Sequence, residues 1–336
     1  MFHRQELLLK IFIIAFGIAM LFTGCLNDES WNIQNLGEKC YTMKILDGLF
    51  FTGAQGNLCL ISGTEAPEGS ESQVFIYDID TDKIIAAENI DNASCILAFC
   101  ETSEDIFFAT IAREEKEGCD LYSWNKINKE FRHCTHFQEA GIYSIVYDGN
   151  DKILIGTSFE ANLYSYDIFS KNCELICESP TDENYIRSMC YNNGYCYLGI
   201  GTAAQLVRVN VRTGNMKNLL ADKYTTGESF VYAQTCYDEN ILLLMSPSYN
   251  VLEMDKEGDF EKVGNCAQLD GYEVNEDDNV VGELEGNILI KQSERWKIVS
   301  LGYKVGYYNE KENAIYGLNS WGIYEKVVNG KVVFQK

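Results

Sequence analysis

The sequence predicts an all-β chain folded as a β-propeller of seven blades, with six as the alternative and four antiparallel strands in each blade. Three observations carry this expectation. A strand motif recurs about every 44 residues, tight turns separate the recurring segments, and no internal stretch keeps a helical period. A period of that length holding about four short strands is the pattern of a propeller blade, not of a βαβ sandwich.

In chain order, residues 1–24 read as a cleaved signal. His3, Arg4 and Lys10 precede an apolar run from Ile11 to Phe22, too short to span a bilayer and long enough for secretion. The string Leu21-Phe22-Thr23-Gly24-Cys25 resembles a bacterial lipoprotein signal, with Phe22 where leucine is usual. That resemblance implies lipidation at Cys25 and a mature protein anchored to the cell membrane on its extracytoplasmic face. Acyl chains contribute about 0.8 kcal/mol per buried methylene, so two or three hold a folded domain at a bilayer. Residues 25–37 read as a polar tether and 38–336 as the propeller domain.

The repeats follow. Apolar segments begin at Leu58, Ile106, Ile153, Tyr197 and Ile241, spaced 48, 47, 44 and 44 residues apart. Each is followed by an alternating strand: Phe75-Ile76-Tyr77-Asp78, Leu121-Tyr122-Ser123-Trp124-Asn125, Leu163-Tyr164-Ser165-Tyr166-Asp167, Leu206-Val207-Arg208-Val209-Asn210 and Val251-Leu252-Glu253-Met254-Asp255. A polar turn then opens a further strand. Past Cys266 the phase blurs, but strands are expected at 287–291, 295–300, 305–309, 314–319, 322–327 and 331–335. A strand near 41–46 is expected to complete the last blade.

The run from Phe75 to Ala86 resembles the YVTN-type propeller repeat of exported bacterial and archaeal surface proteins. The units at Gly156 and Gly201 are similar to the Tyr-Asp-x-x-Thr-Gly repeats of quinoprotein-like propellers. The resemblance implies architecture alone, since fold does not fix function. The Gly-His and Trp-Asp pairs of WD40 repeats and the Gly-Gly pairs of kelch repeats are absent from the sequence.

Composition narrows the partners. Without residues 1–24 the chain carries 25 basic against 49 acidic residues. That balance opposes nucleic acid and anionic headgroups, both of which need a basic footprint. Twelve cysteines accompany Cys25. One pair, Cys190 and Cys196, brackets a turn at Asn192-Asn193-Gly194 and is expected to face across a hairpin as a disulfide.

In a propeller the loops entering the inner strands and those joining the second and third strands line one rim of the funnel. Those positions hold Tyr143, Tyr185, Arg187 and Tyr232 in the first set, with Phe159, Glu160, Asn162, Gln205 and Tyr249 in the second. Aromatics, a cation and amides suit a sugar or a peptide.

His133 and His136 are expected on opposite faces of a strand, which argues against a shared metal ion. Asp78–Asp82 and Asn275–Asn279 lack the sixth-position glycine and twelfth-position acid of an EF-hand loop. Neither a nucleophile elbow nor a phosphate-binding glycine loop occurs. No catalytic residue, metal or cofactor is therefore assigned.

The expected function is a membrane-anchored module binding an unidentified protein or glycan. The alternative is a glycan-active lyase or hydrolase, with Tyr143 and Arg187 acting on a uronate. A funnel rich in His, acids and Arg would favour the enzyme, and an aromatic rim without desolvated acids would favour binding.

Overall fold

The computed structural model describes residues 44–66, 71–267, 274–275, 277–292, 295–300, 302–318, 324–329 and 331–335. The expected signal, the lipidation at Cys25 and the tether lie outside these residues. The described chain holds 27 strands and only two short helical segments, Glu115–Glu117 and Asp222–Thr225.

The strands form successive antiparallel meanders. The first is β1 (Lys44–Thr52), β2 (Leu58–Glu65), β3 (Ser72–Asp78) and β4 (Lys83–Ile90). The second is β5 (Ala93–Glu101), β6 (Asp105–Ala112), β7 (Cys119–Asn125) and β8 (Phe131–Phe137). The third is β9 (Gly141–Tyr147), β10 (Lys152–Ser158), β11 (Leu163–Asp167) and β12 (Cys173–Cys177). The fourth is β13 (Tyr185–Asn192), β14 (Tyr195–Gly201), β15 (Gln205–Asn210) and β16 (Met216–Asn218).

The fifth is β17 (Phe230–Tyr237), β18 (Asn240–Ser246), β19 (Asn250–Met254) and β20 (Phe260–Asn265). Three described strands follow, β21 (Val280–Leu284), β22 (Asn287–Gln292) and β23 (Arg295–Ser300), one fewer than expected of a blade. The last meander is β24 (Val305–Asn309), β25 (Ala314–Leu318), β26 (Tyr324–Val328) and β27 (Lys331–Gln335). It draws all four strands from the C-terminal region. The expected strand near 41–46 is instead the start of β1, paired with β2.

The second strand of each meander is buried on both faces, which is why it reads as an unbroken apolar run. Along β10, Ile153 and Ile155 join one core cluster while Leu154 joins the next. Along β18, Ile241 and Leu243 point one way and Leu242 and Leu244 the other. Every core cluster is thus shared by two neighbouring meanders. One of them packs Phe50, Leu60, Phe75 and Tyr77 of the first against Tyr316, Leu318 and Tyr324 of the last.

The repeated Asp or Asn after the third strand has a local cause. Its side-chain oxygen accepts the backbone N–H groups of the turn that follows. Asp167 accepts from Phe169 and Ser170 at 3.0 and 2.7 Å, and Asn125 from Ile127 and Asn128 at 3.1 and 3.0 Å. Asp78 is used in the same way by Thr81 at 2.9 Å. These side chains are turn formers.

Two local expectations are overturned. The β13–β14 turn has only Asn193 and Gly194 at its tip, both with positive φ, so Cys190 stands opposite Tyr197 and Cys196 opposite Tyr191. Offset by one residue, the two thiols face opposite sides of the sheet, in different core clusters, and both are free. His133 and His136 do share a face. A bulge between Leu121 and Tyr122 of β7 leaves Cys134 of β8 without an opposite residue and resets the alternation. Both imidazoles consequently reach the Oδ1 of Asp120, at 2.7 and 3.0 Å.

Candidate functional site

The first strand of a meander carries a bulge at a recurring position, and the extra residue there takes no partner on the second strand. The register skips Tyr143 between Ile142 and Ser144, Arg187 between Ile186 and Ser188, and Tyr232 between Val231 and Ala233. A bulge turns a side chain out of the ladder, which frees it for other work. Glycine on the facing strand gives the next meander room: a Cβ on Gly156 would lie 2.5 Å from Ile186 Cγ2.

These elements assemble an aromatic cluster. Tyr185, the first residue of β13, meets Tyr143 edge-on at 5.6 Å between centroids. It also meets Phe159 at 5.5 Å and Phe230 at 6.4 Å. Phe159 remains 43 % exposed, so the cluster opens to solvent. Beside it the Arg187 guanidinium lies over the Tyr232 ring, 4.3 Å from the centroid.

A charged group adjoins the cluster. Arg187 Nη2 stands 3.8 Å from Glu285 Oε1, at the tight turn between β21 and β22. Asp47, next to the bulge in β1, accepts the Gly48 N–H at 2.7 Å. Burial pushes its carboxyl up, while Arg187 and Lys304 oppose that shift by their charge. Burial also raises Glu283 to about 8, opposed by the Gly286 N–H that it accepts and reinforced by the charge of Glu285. Glu285 is raised to about 7 by burial and by Asp47, with Arg187 and Lys304 pulling the other way. Strands far apart in sequence therefore place three desolvated carboxyls and two cations within electrostatic reach of one another.

Five expected rim residues, Tyr143, Phe159, Tyr185, Arg187 and Tyr232, are thus brought together. The other four do different things. Asn162 is buried and structural: its Nδ2 donates to Glu139 Oε1 at 2.7 Å and its Oδ1 accepts the Ser179 N–H at 3.0 Å. Tyr249 is 53 % exposed at the β18–β19 turn and belongs to none of the ring contacts of the described cluster. Gln205 Oε1 accepts from Asn218 at 2.9 Å. Glu160 lines a cavity of about 290 Å³ with Glu115, Glu139 and Phe159.

Sequence reasoning missed Phe230, Asp47, Glu283, Glu285 and Lys304. A signal existed for Phe230, which stands two residues before a bulge residue just as Tyr185 does. The acids lie outside the clear repeats, where no spacing singles them out.

Chemically, the site offers apolar ring faces, a guanidinium, and carboxyls that take up protons near neutral pH. Burial pushes the Tyr143 phenol up, which keeps it protonated at neutral pH and so leaves little of it available as a base. Among the described residues no group of three or more His, Cys, Asp or Glu is arranged to hold a metal ion. No described helix is long and apolar enough to cross a membrane.

No protein-family model and no curated protein matches the chain. Among solved structures it is similar to U3-55K, with a TM-score of 0.56 and 9% identity over 86% of this chain and 90% of that one. It is similar also to the RRP9 WD40 repeats, with a TM-score of 0.56 and 8% identity over 86% and 88%. At such identities the likeness is one of fold alone: an all-β, propeller-type architecture without the sequence marks of WD40 repeats.

Proposed function

We propose that the chain is an exported lipoprotein, held through Cys25 on the extracytoplasmic face of a cell membrane, whose meanders close as a seven-bladed propeller. Its funnel mouth binds a protein or glycan ligand. Support for the ring is that each first strand lies against the next, β1 against β5 through to β21 against β24, and that β1 also lies against β24. The electrostatic reach between Asp47 on β1 and Arg187 on β13 fits a shared central channel.

One observation carries the binding reading: the solvent-open cluster of Tyr143, Phe159, Tyr185 and Phe230 beside the Arg187–Tyr232 stack. Aromatic faces with a polar handle bind sugar rings and peptide side chains at low entropic cost. Arrays of immobilised glycans and peptides, probed with the chain from residue 25 onward, test it. A ligand retained by the unaltered protein should lose at least about tenfold in affinity in Tyr185→Ala, the loss expected of an aromatic anchor. Equal binding by both would end this reading. For the anchor, Cys25→Ala should no longer incorporate labelled fatty acid; incorporation at the unaltered level would rule out that site.

A second reading, a glycan-active enzyme, draws on the desolvated acids. A carboxyl near pH 7 beside a guanidinium suits general acid–base work, and because the raised Tyr143 phenol stays protonated at neutral pH, proton abstraction falls to Glu285. Release of unsaturated or reducing ends from uronate polymers would reveal such activity. It should vanish in Glu285→Gln; the same rate in that variant would dismiss Glu285 as the base.

A further inference from the structure

The strands that carry Arg187 and Tyr232 are joined along their length by side chains. Ser188 Oγ donates to the Val231 carbonyl at 2.8 Å, and Gln234 Nε2 donates to the Ser188 carbonyl at 2.8 Å and to its hydroxyl at 3.1 Å. Further along, Asn192 Nδ2 donates to the Asp238 carbonyl at 3.3 Å. Side chains alternate along a strand, so residues 188, 190 and 192 share one side of β13, and 234 and 236 share one side of β17. No register shift interrupts either run. Cys190 is thereby set between the Ser188 and Asn192 contacts, facing Gln234 and Cys236. Its Sγ lies 3.4 Å from Gln234 Oε1, and Cys236 packs against the core cluster that holds Cys190.

We propose that Cys190 and Cys236 form a disulfide joining the fourth and fifth meanders. Export to an oxidising compartment supplies the setting, and in that respect the bridge rests on the reading of the function given above. Burial and the neighbouring Cys236 thiol raise Cys190, which makes it a poor first nucleophile. Cys236 is only half-buried and reacts first.

The Cys236 thiolate attacks one sulfur of an external disulfide, a small-molecule disulfide or that of a thiol oxidase, and expels the first thiolate. Cys190 then attacks the mixed disulfide and expels the second. Two protein thiols are oxidised by two electrons, the external disulfide is reduced by the same two, and the two protons pass to the leaving thiolates. The bridge fixes the spacing of β13 and β17 three and four residues beyond Arg187 and Tyr232, and so holds the guanidinium over its ring.

The test uses the purified chain from residue 25 onward, treated with oxidised glutathione, alkylated without reduction and digested with trypsin. Mass spectrometry should find the Cys190 peptide linked to the Cys236 peptide. Because Cys190 and Cys196 share one tryptic peptide, the digest is repeated on Cys196→Ser, which should keep the link, and on Cys236→Ser, which should lose it. Oxidation should raise the urea midpoint of the unaltered protein and leave Cys236→Ser unmoved. Both thiols alkylated after oxidant, or Cys190 linked elsewhere, overturns the pairing. Trapping thiols in intact cells separates the two premises. A bridge made by the purified chain but absent from cells sinks the export reading and leaves the pairing standing.

Discussion

Glu283 and Glu285 are held in the protonated form well above the usual carboxylate range, and the cause is burial beside another acid. A carboxyl whose folded-state affinity for protons exceeds its unfolded one makes the folded state bind more protons, so stability falls as pH rises. The window runs from the ordinary value of 4.5 up to about 7 for Glu285 and about 8 for Glu283. Asp47, shifted the same way, adds to the slope. Urea denaturation should show the protein less stable at pH 8 than at pH 5. Glu283→Gln keeps an acceptor for the Gly286 N–H and removes the charge. It should flatten that slope and gain about 1–3 kcal/mol at pH 8, since each tenfold change in proton affinity is worth about 1.4 kcal/mol and partial exposure to solvent reduces the total. An unchanged slope would show that Glu283 does not titrate in this window. Arg187→Met has the opposite expected sign. It leaves the carboxyls of Asp47 and Glu285 without their guanidinium and should cost about 3 kcal/mol at pH 8. The loss should shrink at pH 5, where the Glu285 carboxyl is neutral; an equal loss at both would point to packing instead of charge.

At the scale of the strand, the recurring glycine of the second strand is a packing device. Gly63, Gly156 and Gly199 sit where the following meander's first strand comes closest: a Cβ would lie 2.4 Å from Ile96, 2.5 Å from Ile186 and 2.8 Å from the Val231 carbonyl oxygen respectively. In Gly156→Ala the new methyl meets Ile186 and, at 3.0 Å, Met189 Sδ. Only the methionine end can give way, so the substitution should cost about 1–3 kcal/mol, as overpacking does. A melting temperature equal to the unaltered protein's would show that the two strands separate freely. The same strands explain what could be read in the sequence. Second strands such as β10, buried on both faces, and third strands ending in a turn-forming Asp or Asn stand out by composition and spacing. First strands do not, because a bulge changes the alternation midway, and the sequence does not mark where. An unmarked bulge in a fourth strand, at Cys134 of β8, likewise brought His133 and His136 to one face unforeseen, and one residue fewer in the β13–β14 turn parted Cys190 from Cys196.

Across the whole molecule, the meanders are joined in two ways. From the first to the fifth, the second strand of one also pairs with the first strand of the next, at Glu65–Cys95, Ile111–Gly141, Ser158–Tyr185 and Gly201–Phe230. Among the described residues, β21–β23 and β24–β27 form separate sheets without such a bridge. The proposed ring therefore closes between the last and first meanders through side chains. At that seam Tyr316 stacks on Tyr324 at 6.0 Å and meets Phe50 at 6.4 Å, and its hydroxyl donates to Glu312 at 2.7 Å. A cavity of about 480 Å³, lined by Thr52, Leu58, Tyr307 and Glu312 among others, lies beside it. Where backbone bridges are missing and a void adjoins the packing, local opening costs less than global unfolding. Tyr316→Ala removes the ring that binds both halves and should cost about 3–5 kcal/mol at the seam. Hydrogen exchange should then lose protection in β1–β4 and β24–β27 at a denaturant concentration where β9–β16 still keep theirs. Loss at one concentration throughout would mean that the meanders unfold as a single unit, and that the seam is no weaker than the bridged joints.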